Sequence, residues 1–248
     1  MYVIGITGPS GAGKTTALRV LEQMGGKVYD CDAVYHEMLE TSGELLGRIE
    51  AAFPGAVTDY VLDRKSLGAR VFADPEGLQR LTDITQPLVK RRVLEEIRAS
   101  DAASSVIRPA GDAGCRLPLK GKASAPSSVP CSLFPVPSRF AVIDAIGLFE
   151  SGLGENCDLT VAVTADEEVR VRRLMARDNI TEDYARARIA AQKPADWYSA
   201  QADITLENNG SEADFAQTCR DVFAAALREA LPDRASAASS GTRKGGLS

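Results

Sequence analysis

The sequence predicts an α/β protein built on a doubly wound parallel sheet with helices on both faces. Two observations support this fold class. Short apolar runs, such as residues 2–6 and 140–143, alternate with longer stretches in which apolar residues recur at helical spacing. A glycine-rich loop, residues 8–15, directly follows the first run, at the edge where a parallel sheet binds its ligands.

The composition is that of an ordinary globular protein, with 248 residues, 44% apolar and 25% charged. The formal charge is −5 and the basic residues are dispersed, so we expect no nucleic-acid partner. We find no signal peptide and no apolar run long enough for a membrane span, which predicts no membrane partner. The five cysteines show no disulfide or metal-site spacing, and we therefore expect a reducing, cytoplasmic location.

Residues 8–15 read GPSGAGKT and complete the phosphate-loop pattern G-x-x-x-x-G-K-[ST]. In such a loop the backbone N–H groups face a phosphate, Lys14 supplies positive charge, and the Thr15 hydroxyl can hold Mg²⁺. Thr16 stands where a dinucleotide fingerprint needs a third glycine, so a nucleoside triphosphate is the expected ligand. The predicted nucleotide-binding residues of this segment are Gly11, Ala12, Gly13, Lys14, Thr15 and Thr16.

A helix follows the loop and ends at Gly25-Gly26, and a short strand, residues 27–29, leads to Asp30 and Asp32. Residues 34–98 show helical periodicity almost throughout and are predicted to form the part that covers the acceptor substrate. We expect one domain made of residues 1–98 and 139–231.

Residues 99–138 are crowded with Ala, Ser, Pro and Gly and lack an apolar pattern, which predicts a flexible insertion. A functional lid is the alternative interpretation of this segment. Residues 232–248 are small and polar and are predicted to be a disordered tail.

After the insertion, residues 140–144 and 159–163 predict two buried strands. Helices are predicted at residues 165–177 and from a cap at Thr181 to about Gln192, and together they form a candidate lid over residues 165–193. A last strand, residues 204–206, leads to Asn208, and residues 212–230 predict a closing helix.

Two carboxylates are the candidate reactive groups. Asp32 can meet an acceptor hydroxyl near a γ-phosphate held by Lys14, where it would take or orient the hydroxyl proton. The alternative is that Asp30 and Asp32 only cap the following helix. Asp144 ends its strand where the second acidic residue of such an enzyme holds Mg²⁺, and a cap at the strand exit is its alternative role.

Arg170, Arg173 and Arg177 share one face of the predicted lid helix. They form either a solvated stripe, with Arg177 and Asp178 as a local ion pair, or a set of cations that closes over the triphosphate. His36 is either an acceptor contact or a packing residue. Trp197 and Tyr198 can stack on a base, although packing is the more common role for such aromatic residues.

With these motifs assembled, the chain resembles the bacterial dephospho-CoA kinases over nearly its full length outside the insertion and the tail. The resemblance rests on an ordered set of segments: residues 8–16, 30–32 with His36, Asp63-Arg64 with Leu67 and Phe72, residues 148–153 before Cys157-Asp158, residues 173–178, residues 185–192, and Ala202-Asp203 with Asn208.

The resemblance implies phosphorylation of the ribose 3′-hydroxyl of dephospho-coenzyme A with ATP and Mg²⁺, the last step of coenzyme A synthesis. It implies that Asp32 is the base, Lys14 and Thr15 the phosphate and metal groups, and Arg173 and Arg177 the lid contacts. Asn208 is a further expected nucleotide contact. The partners would be ATP and dephospho-CoA, and we expect a monomer or a weak homo-oligomer.

Three positions depart from the family pattern, and they bear on the expected acceptor contacts more than on the nucleotide contacts. Gln86-Pro87 occupies the place of the family's His-Pro, and Ile146-Gly147 occupies the place of its Pro-Leu. Tyr198 falls near a position that is commonly basic in the family. Gln86 keeps hydrogen-bonding capacity but carries no charge. Two other functions stay open on these residues: another nucleoside or nucleotide kinase with a phosphate loop, or a homologue that binds ATP without transferring its phosphate.

Overall fold

A computed structural model of the chain describes residues 1–106 and 140–230. The predicted tail and most of the predicted insertion lie outside the described residues. The central sheet is parallel and five-stranded, with the order β2-β5-β1-β6-β7, which confirms the predicted fold class. The strands are β1 Tyr2–Thr7, β2 Gly26–Asp30, β3 Val57–Thr58, β4 Val61–Leu62, β5 Phe140–Asp144, β6 Leu159–Thr164 and β7 Ile204–Glu207.

Nine α-helices are found within the described residues. They are α1 Lys14–Gln23, α2 Cys31–Thr41, α3 Gly43–Ala52, α4 Arg64–Ala73, α5 Pro75–Val106, α6 Glu167–Asp178, α7 Glu182–Ala190, α8 Ala195–Ser199 and α9 Glu212–Ala230. No described helix is both long and apolar enough to cross a lipid bilayer.

Both faces of the sheet are buried. Along β5, Ala141 and Ile143 join a core formed with α2, α3 and α5, while Phe140 and Val142 join a second core formed with α1 and α9. Successive strand residues point to opposite faces, so a strand covered on both sides is apolar without alternation. This is why the short apolar runs in the sequence predicted buried strands.

Helices α6 and α7 form a small core of their own, made of Val171, Leu174, Ala185 and Ile189. Thr181 caps α7 as predicted, since its hydroxyl accepts a hydrogen bond from the Tyr184 N–H at 3.4 Å. The segment predicted as a lid is therefore a helical hairpin with internal packing, and it contacts the phosphate loop through α6 and through Gln192, just after α7.

Two expectations about residues 34–138 were wrong in part. Residues 99–106 continue α5 instead of opening the insertion, because this alanine-containing stretch favours a helix and Asp101 pairs with the Met1 ammonium group at 3.1 Å. Within the region expected to be helical, β3 and β4 pair as a hairpin. Its turn residues, Asp59 and Tyr60, have φ of 50° and 64°, and glycine is absent from both turn positions.

Candidate active site

The phosphate loop lies between the end of β1 and the start of α1, and its backbone is fixed by the protein around it. Gly13 has φ of 102°, and a Cβ atom there would lie 2.1 Å from the Asn208 side-chain nitrogen. Asn208 is buried, and its amide donates a hydrogen bond to the Ala12 carbonyl at 2.8 Å. Only glycine fits this position, because the strained backbone angle and the close approach of Asn208 both exclude a side chain.

The carbonyl groups of the loop face protein donors. The Ser10 carbonyl accepts from Arg170 Nε at 3.0 Å, and the Ala12 carbonyl accepts from Asn208 and more weakly from Arg173, at 3.4 Å. In a planar trans peptide the next N–H points the opposite way. The N–H groups of Gly11 and Gly13 are therefore turned away from these donors, as the backbone of an anion-binding loop requires.

A cavity of about 650 Å³ lies between this loop and α6. It brings together most of the predicted site: Gly11, Gly13, Lys14, Thr15, Asp144, Arg173 and Arg177 all line it. Ala12 and Thr16 are outside its lining, since Ala12 is fully buried and the Thr16 N–H bonds to the Gly13 carbonyl. A nucleotide contact of Thr16 stays a prediction.

Asp144 stands at the end of β5, level with Asp30 on β2 and Ile6 on β1. Lys14 Nζ lies 3.7 Å from Asp144 Oδ1, which is an ion-pair distance beyond hydrogen-bond range. Within the described residues this buried oxygen has no hydrogen-bond partner. Burial raises the pKa of Asp144, the carboxylates of Asp30 and Asp32 add to the rise, and Lys14 opposes it. The expected alternative, a cap at the strand exit, does not describe this carboxylate, because no helix begins there.

Asp30 and Asp32 have separate roles at the start of α2. Asp30 is the cap: its Oδ1 accepts from the N–H groups of Asp32 and Ala33 at 2.8 and 3.1 Å. Asp32 lies in the first helical turn, is exposed, and lines a second cavity of about 180 Å³. Because Asp30 completes the cap, the Asp32 carboxylate is free for another function.

The second cavity lies beside the first, and Ile146 lines both. Its wall includes Tyr35 from α2 and Gln86 from α5, together with Gly147 from the loop after β5. Two of the positions that depart from the family pattern, 86 and 146–147, thus line the same cavity as Asp32.

The predicted arginine face of α6 is engaged with the protein at each of its three positions. Arg170 is 4% exposed, and burial lowers its pKa. Arg173 donates to the Asn208 carbonyl at 2.9 Å and to the Asn208 side-chain oxygen at 3.1 Å, and burial lowers its pKa as well. The alternative prediction, that these arginines form a solvated stripe, is therefore wrong for Arg170. It is wrong in part for Arg173, whose guanidinium group is bound to Asn208.

Arg177 forms the local ion pair considered from the sequence, with two hydrogen bonds to Asp178 at 2.7 and 2.9 Å. Arg188, from α7, reaches the same carboxylate at 2.6 Å. The hydrogen bonds from Arg177 and Arg188 lower the pKa of Asp178 to about 2. Both guanidinium groups belong to residues that line the larger cavity.

The aromatic and histidine candidates are placed less favourably for contact with a ligand. Tyr198 is 1% exposed, and Trp197 packs edge-on against Tyr198 and Phe149 with ring centroids 5.0 and 6.1 Å away. These contacts support the packing interpretation. His36 is exposed, and its Nδ1 lies 2.8 Å from the Asp32 carbonyl, one helical turn away.

Three residues near the loop were not singled out for a role at this site: Ser10, Arg188 and Gln192. Arg188 lines the cavity, and Gln192 hydrogen-bonds to Ser10. The spacing of Arg188 and Gln192, four residues apart at the end of a helix, places them on one side of the lid hairpin and was the available signal. The residues that Arg188 and Gln192 contact at this site are distant in sequence. The spacing alone could therefore not predict a role for either residue.

Comparison with known proteins gives a consistent result. A family model for dephospho-CoA kinase matches residues 2–109 and 133–214. A curated dephospho-CoA kinase from Anaeromyxobacter dehalogenans is 35% identical over 213 residues, covering 85% of this chain and 85% of that protein. One from Geobacter sulfurreducens is 30% identical over 226 residues, covering 90% of this chain and 98% of that protein.

A solved structure, that of TT1252 from Thermus thermophilus, has 30% sequence identity and a TM-score of 0.63 over 90% of this chain and 96% of that one. The residues that the family model matches include both halves of the sheet and the loop that joins β1 to α1. On this similarity the chain belongs to the dephospho-CoA kinase family.

Proposed function

We propose that this protein transfers the γ-phosphoryl group of ATP to the ribose 3′-hydroxyl of dephospho-coenzyme A, and that the two adjoining cavities hold the two substrates. Membership of the dephospho-CoA kinase family supports the reaction. The observation that supports the site most directly is the free carboxylate of Asp32, which lines the smaller cavity while Asp30 alone caps α2.

In this proposal the larger cavity holds the triphosphate. The loop supplies N–H groups at Gly11 and Gly13, and Lys14 supplies a compact positive charge beside them. Phosphoryl transfer spreads negative charge over the oxygens of the moving group, so fixed N–H dipoles and cations at this position lower the barrier. Arg177 and Arg188 add two more cations to the lining of this cavity.

The smaller cavity holds the acceptor. Asp32 accepts or orients the proton of the 3′-hydroxyl, which lets the hydroxyl oxygen attack the γ-phosphorus in line with the departing ADP. Gln86 and Gly147 form the part of the wall in which this chain departs from the family pattern. Contacts there with the acceptor are neutral hydrogen bonds, because Gln86 has an amide where the family has an imidazole.

The residues present fit a Mg²⁺ ion. Asp144 Oδ1 is a buried carboxylate oxygen without a hydrogen-bond partner among the described residues, and Thr15, which carries a hydroxyl, is among the residues that line the same cavity as Asp144. Mg²⁺ prefers hard oxygen ligands and is usually held by one or two protein groups together with substrate phosphates. When bound, the ion neutralises charge on the β- and γ-phosphates; Asp144 and Thr15 would hold it.

The test is a product assay. Purified protein is incubated with ATP, Mg²⁺ and one acceptor at a time, and products are separated by chromatography; the acceptors are dephospho-CoA, AMP, CMP, adenosine and pantetheine. We expect coenzyme A from dephospho-CoA and at least hundredfold less product from the other acceptors. Transfer to a nucleoside monophosphate at a comparable rate, or ATP binding without any transfer, would contradict the proposal.

The expected location and assembly state follow the same proposal. A reducing cytoplasm is supported by the free thiols of Cys31, Cys157 and Cys219. A monomer or weak homo-oligomer stays a prediction, for which light scattering at assay concentrations is the direct measurement.

A further inference from the structure

Ser10 occupies a position that the phosphate-loop pattern leaves open to any residue, yet all three of its polar groups are bound by the lid hairpin. Its N–H donates to Gln192 Oε1 at 2.9 Å, and its hydroxyl accepts from Gln192 Nε2 at 2.9 Å. Its carbonyl accepts from Arg170 Nε at 3.0 Å. One loop residue is thus held by both ends of a segment more than 150 residues away in sequence.

The three side chains form a closed cluster. The Arg170 guanidinium also reaches Gln192 Oε1, with Nη2 at 3.4 Å, so the two lid residues contact each other as well as Ser10. Arg170 is 4% exposed, and its backbone lies directly against the loop: a Cβ on Gly11 would sit 2.9 Å from the Arg170 carbonyl oxygen. The start of the loop and α6 are therefore in contact without intervening space.

The cluster lies next to the cations that face the larger cavity. Arg173 and Arg177 follow Arg170 on α6, and Arg188 on α7 lies four residues before Gln192, which follows the end of that helix. Because α6 and α7 share a core, the hairpin that carries these arginines is one packed unit. Fixing it at Ser10 sets the distance between its guanidinium groups and the N–H groups of the loop.

We infer that Gln192 is a positioning residue, which joins the arginine-bearing hairpin to the phosphate loop through Ser10 and so sets the affinity for the nucleoside triphosphate. The inference rests on the proposed function in assigning the larger cavity to the ATP phosphates. Gln192 touches no reacting group. Its loss is therefore expected to act on ATP binding and to leave the acceptor site, which lies on α2 and α5, nearly unchanged.

The test compares Gln192→Leu with Gln192→Glu. Leucine has a similar volume and no hydrogen-bonding group. Glutamate keeps an acceptor for the Ser10 N–H, lets the Ser10 hydroxyl donate to its second oxygen, and is paired with the Arg170 guanidinium. Gln217→Leu on α9 is the matched control, because Gln217 is exposed and bonds only within its own helix, to Asp221 and Arg220, in the described structure.

Two measurements are made on each variant: the ATP dissociation constant by calorimetry without acceptor, and KM for both substrates. Loss of both hydrogen bonds to Ser10 and of the longer one from Arg170 should weaken ATP binding about tenfold in Gln192→Leu. We expect KM for dephospho-CoA to stay within twofold, and both Gln192→Glu and the control to bind ATP within threefold of the parent protein. If Gln192→Leu does not fold, Gln192→Glu decides: a loss of tenfold or more in ATP affinity overturns the inference.

Three outcomes with folded Gln192→Leu overturn the inference: ATP affinity within twofold of the parent, an equal rise in both KM values, or no recovery in Gln192→Glu. A fall in melting temperature with unchanged ATP affinity belongs to the first of these and would make the cluster purely structural. The binding series needs no acceptor turnover. A parent protein that binds ATP but does not phosphorylate dephospho-CoA therefore refutes the proposed function while the role of Gln192 is still tested.

Discussion

Replacing Asp32 with asparagine tests whether the Asp32 carboxylate accepts or orients a proton during transfer or is only part of the start of a helix. The change keeps the shape and hydrogen-bonding capacity of the side chain and removes its negative charge. Since an amide cannot accept the hydroxyl proton, we expect kcat to fall by about a hundredfold or more, the usual size of a general-base contribution. ATP affinity should stay within about threefold, because Asp32 lines the acceptor cavity and not the phosphate-loop cavity.

The structure also gives the expected effect on stability. Asp30, not Asp32, accepts the two capping hydrogen bonds of α2. Asp32→Asn should therefore cost at most its favourable interaction with the helix dipole, about 0.5 kcal/mol, because removing the charge also relieves its repulsion of Asp144. Asp30→Ala removes the cap and should cost about 1 kcal/mol, which lowers the melting temperature by about 2–4 °C in a domain of this size. The kcat of Asp30→Ala should fall less than tenfold.

The assay measures product formation by chromatography, ATP binding by calorimetry and thermal unfolding for both variants. Near-normal turnover in Asp32→Asn would refute the reasoning and reduce Asp32 to a part of the helix terminus. Loss of ATP binding in the same variant would instead place Asp32 at the metal. A reversed pattern, with the larger loss of activity in Asp30→Ala, would transfer the proposed role to Asp30.

Four further predictions address the loop, the metal site and the insertion. Lys14→Ala should lower kcat by about a thousandfold with the circular dichroism spectrum unchanged; more than a tenth of parent turnover would exclude this loop as the catalytic nucleotide site. Gly11→Ala should lower the melting temperature by several degrees more than Gly25→Ala. Both glycines have positive φ, but of the two only Gly11 has a close neighbour, the Arg170 carbonyl oxygen, at 2.9 Å from the added Cβ. Equal shifts would show that this close contact does not affect stability. Asp144→Asn should raise the melting temperature at pH 7 and abolish Mg²⁺-dependent transfer. Burial raises the pKa of Asp144, so the folded state binds its proton more readily than the unfolded chain. The difference in unfolding free energy between variant and parent should therefore shrink as the pH falls towards 4. A difference that grows at lower pH would contradict this prediction. The family model leaves residues 110–132 unmatched, and replacing them by a short Gly/Ser linker should change kcat and both KM values less than twofold; a larger rise in either KM would favour the alternative in which the segment is a lid.

The features that the sequence predicted best are those encoded by consecutive residues. The phosphate loop, the buried strand before it and the apolar run that ends at Asp144 each depend on a local pattern, and the structure has each of them. The hairpin at Val57–Thr58 and Val61–Leu62 was missed because its strands have two residues each, and its turn lacks the glycine that marks such turns. The start of the insertion was placed too early because composition changes before α5 ends.

The division of roles between neighbouring polar residues could not be predicted, because it depends on partners that are distant in sequence. Asp30 and Asp32 have the same side chain, so the sequence does not distinguish them. In the structure the first N–H groups of α2 point at Asp30, which is therefore the cap, and the Asp32 carboxylate takes no part in capping. Asn208 was expected to contact the nucleotide, but its side chain is bound to Ala12 and Arg173. Its expected contribution to nucleotide binding therefore runs through the loop backbone.

The arginine face of α6 gave an incomplete prediction for the same cause, because the groups that Arg170 and Arg173 bind are distant in sequence. The helical spacing indicates that the arginines lie on one side of the helix. It does not distinguish a guanidinium group that binds backbone carbonyls from one that faces a ligand. In the structure Arg170 and Arg173 hold the loop, while Arg177 shares Asp178 with Arg188 at the wall of the cavity. Arg170 and Arg173 thus fix the loop backbone. Arg177, one turn further along α6, and Arg188 on α7 bind Asp178 at the cavity wall, where a triphosphate would compete with that carboxylate for them.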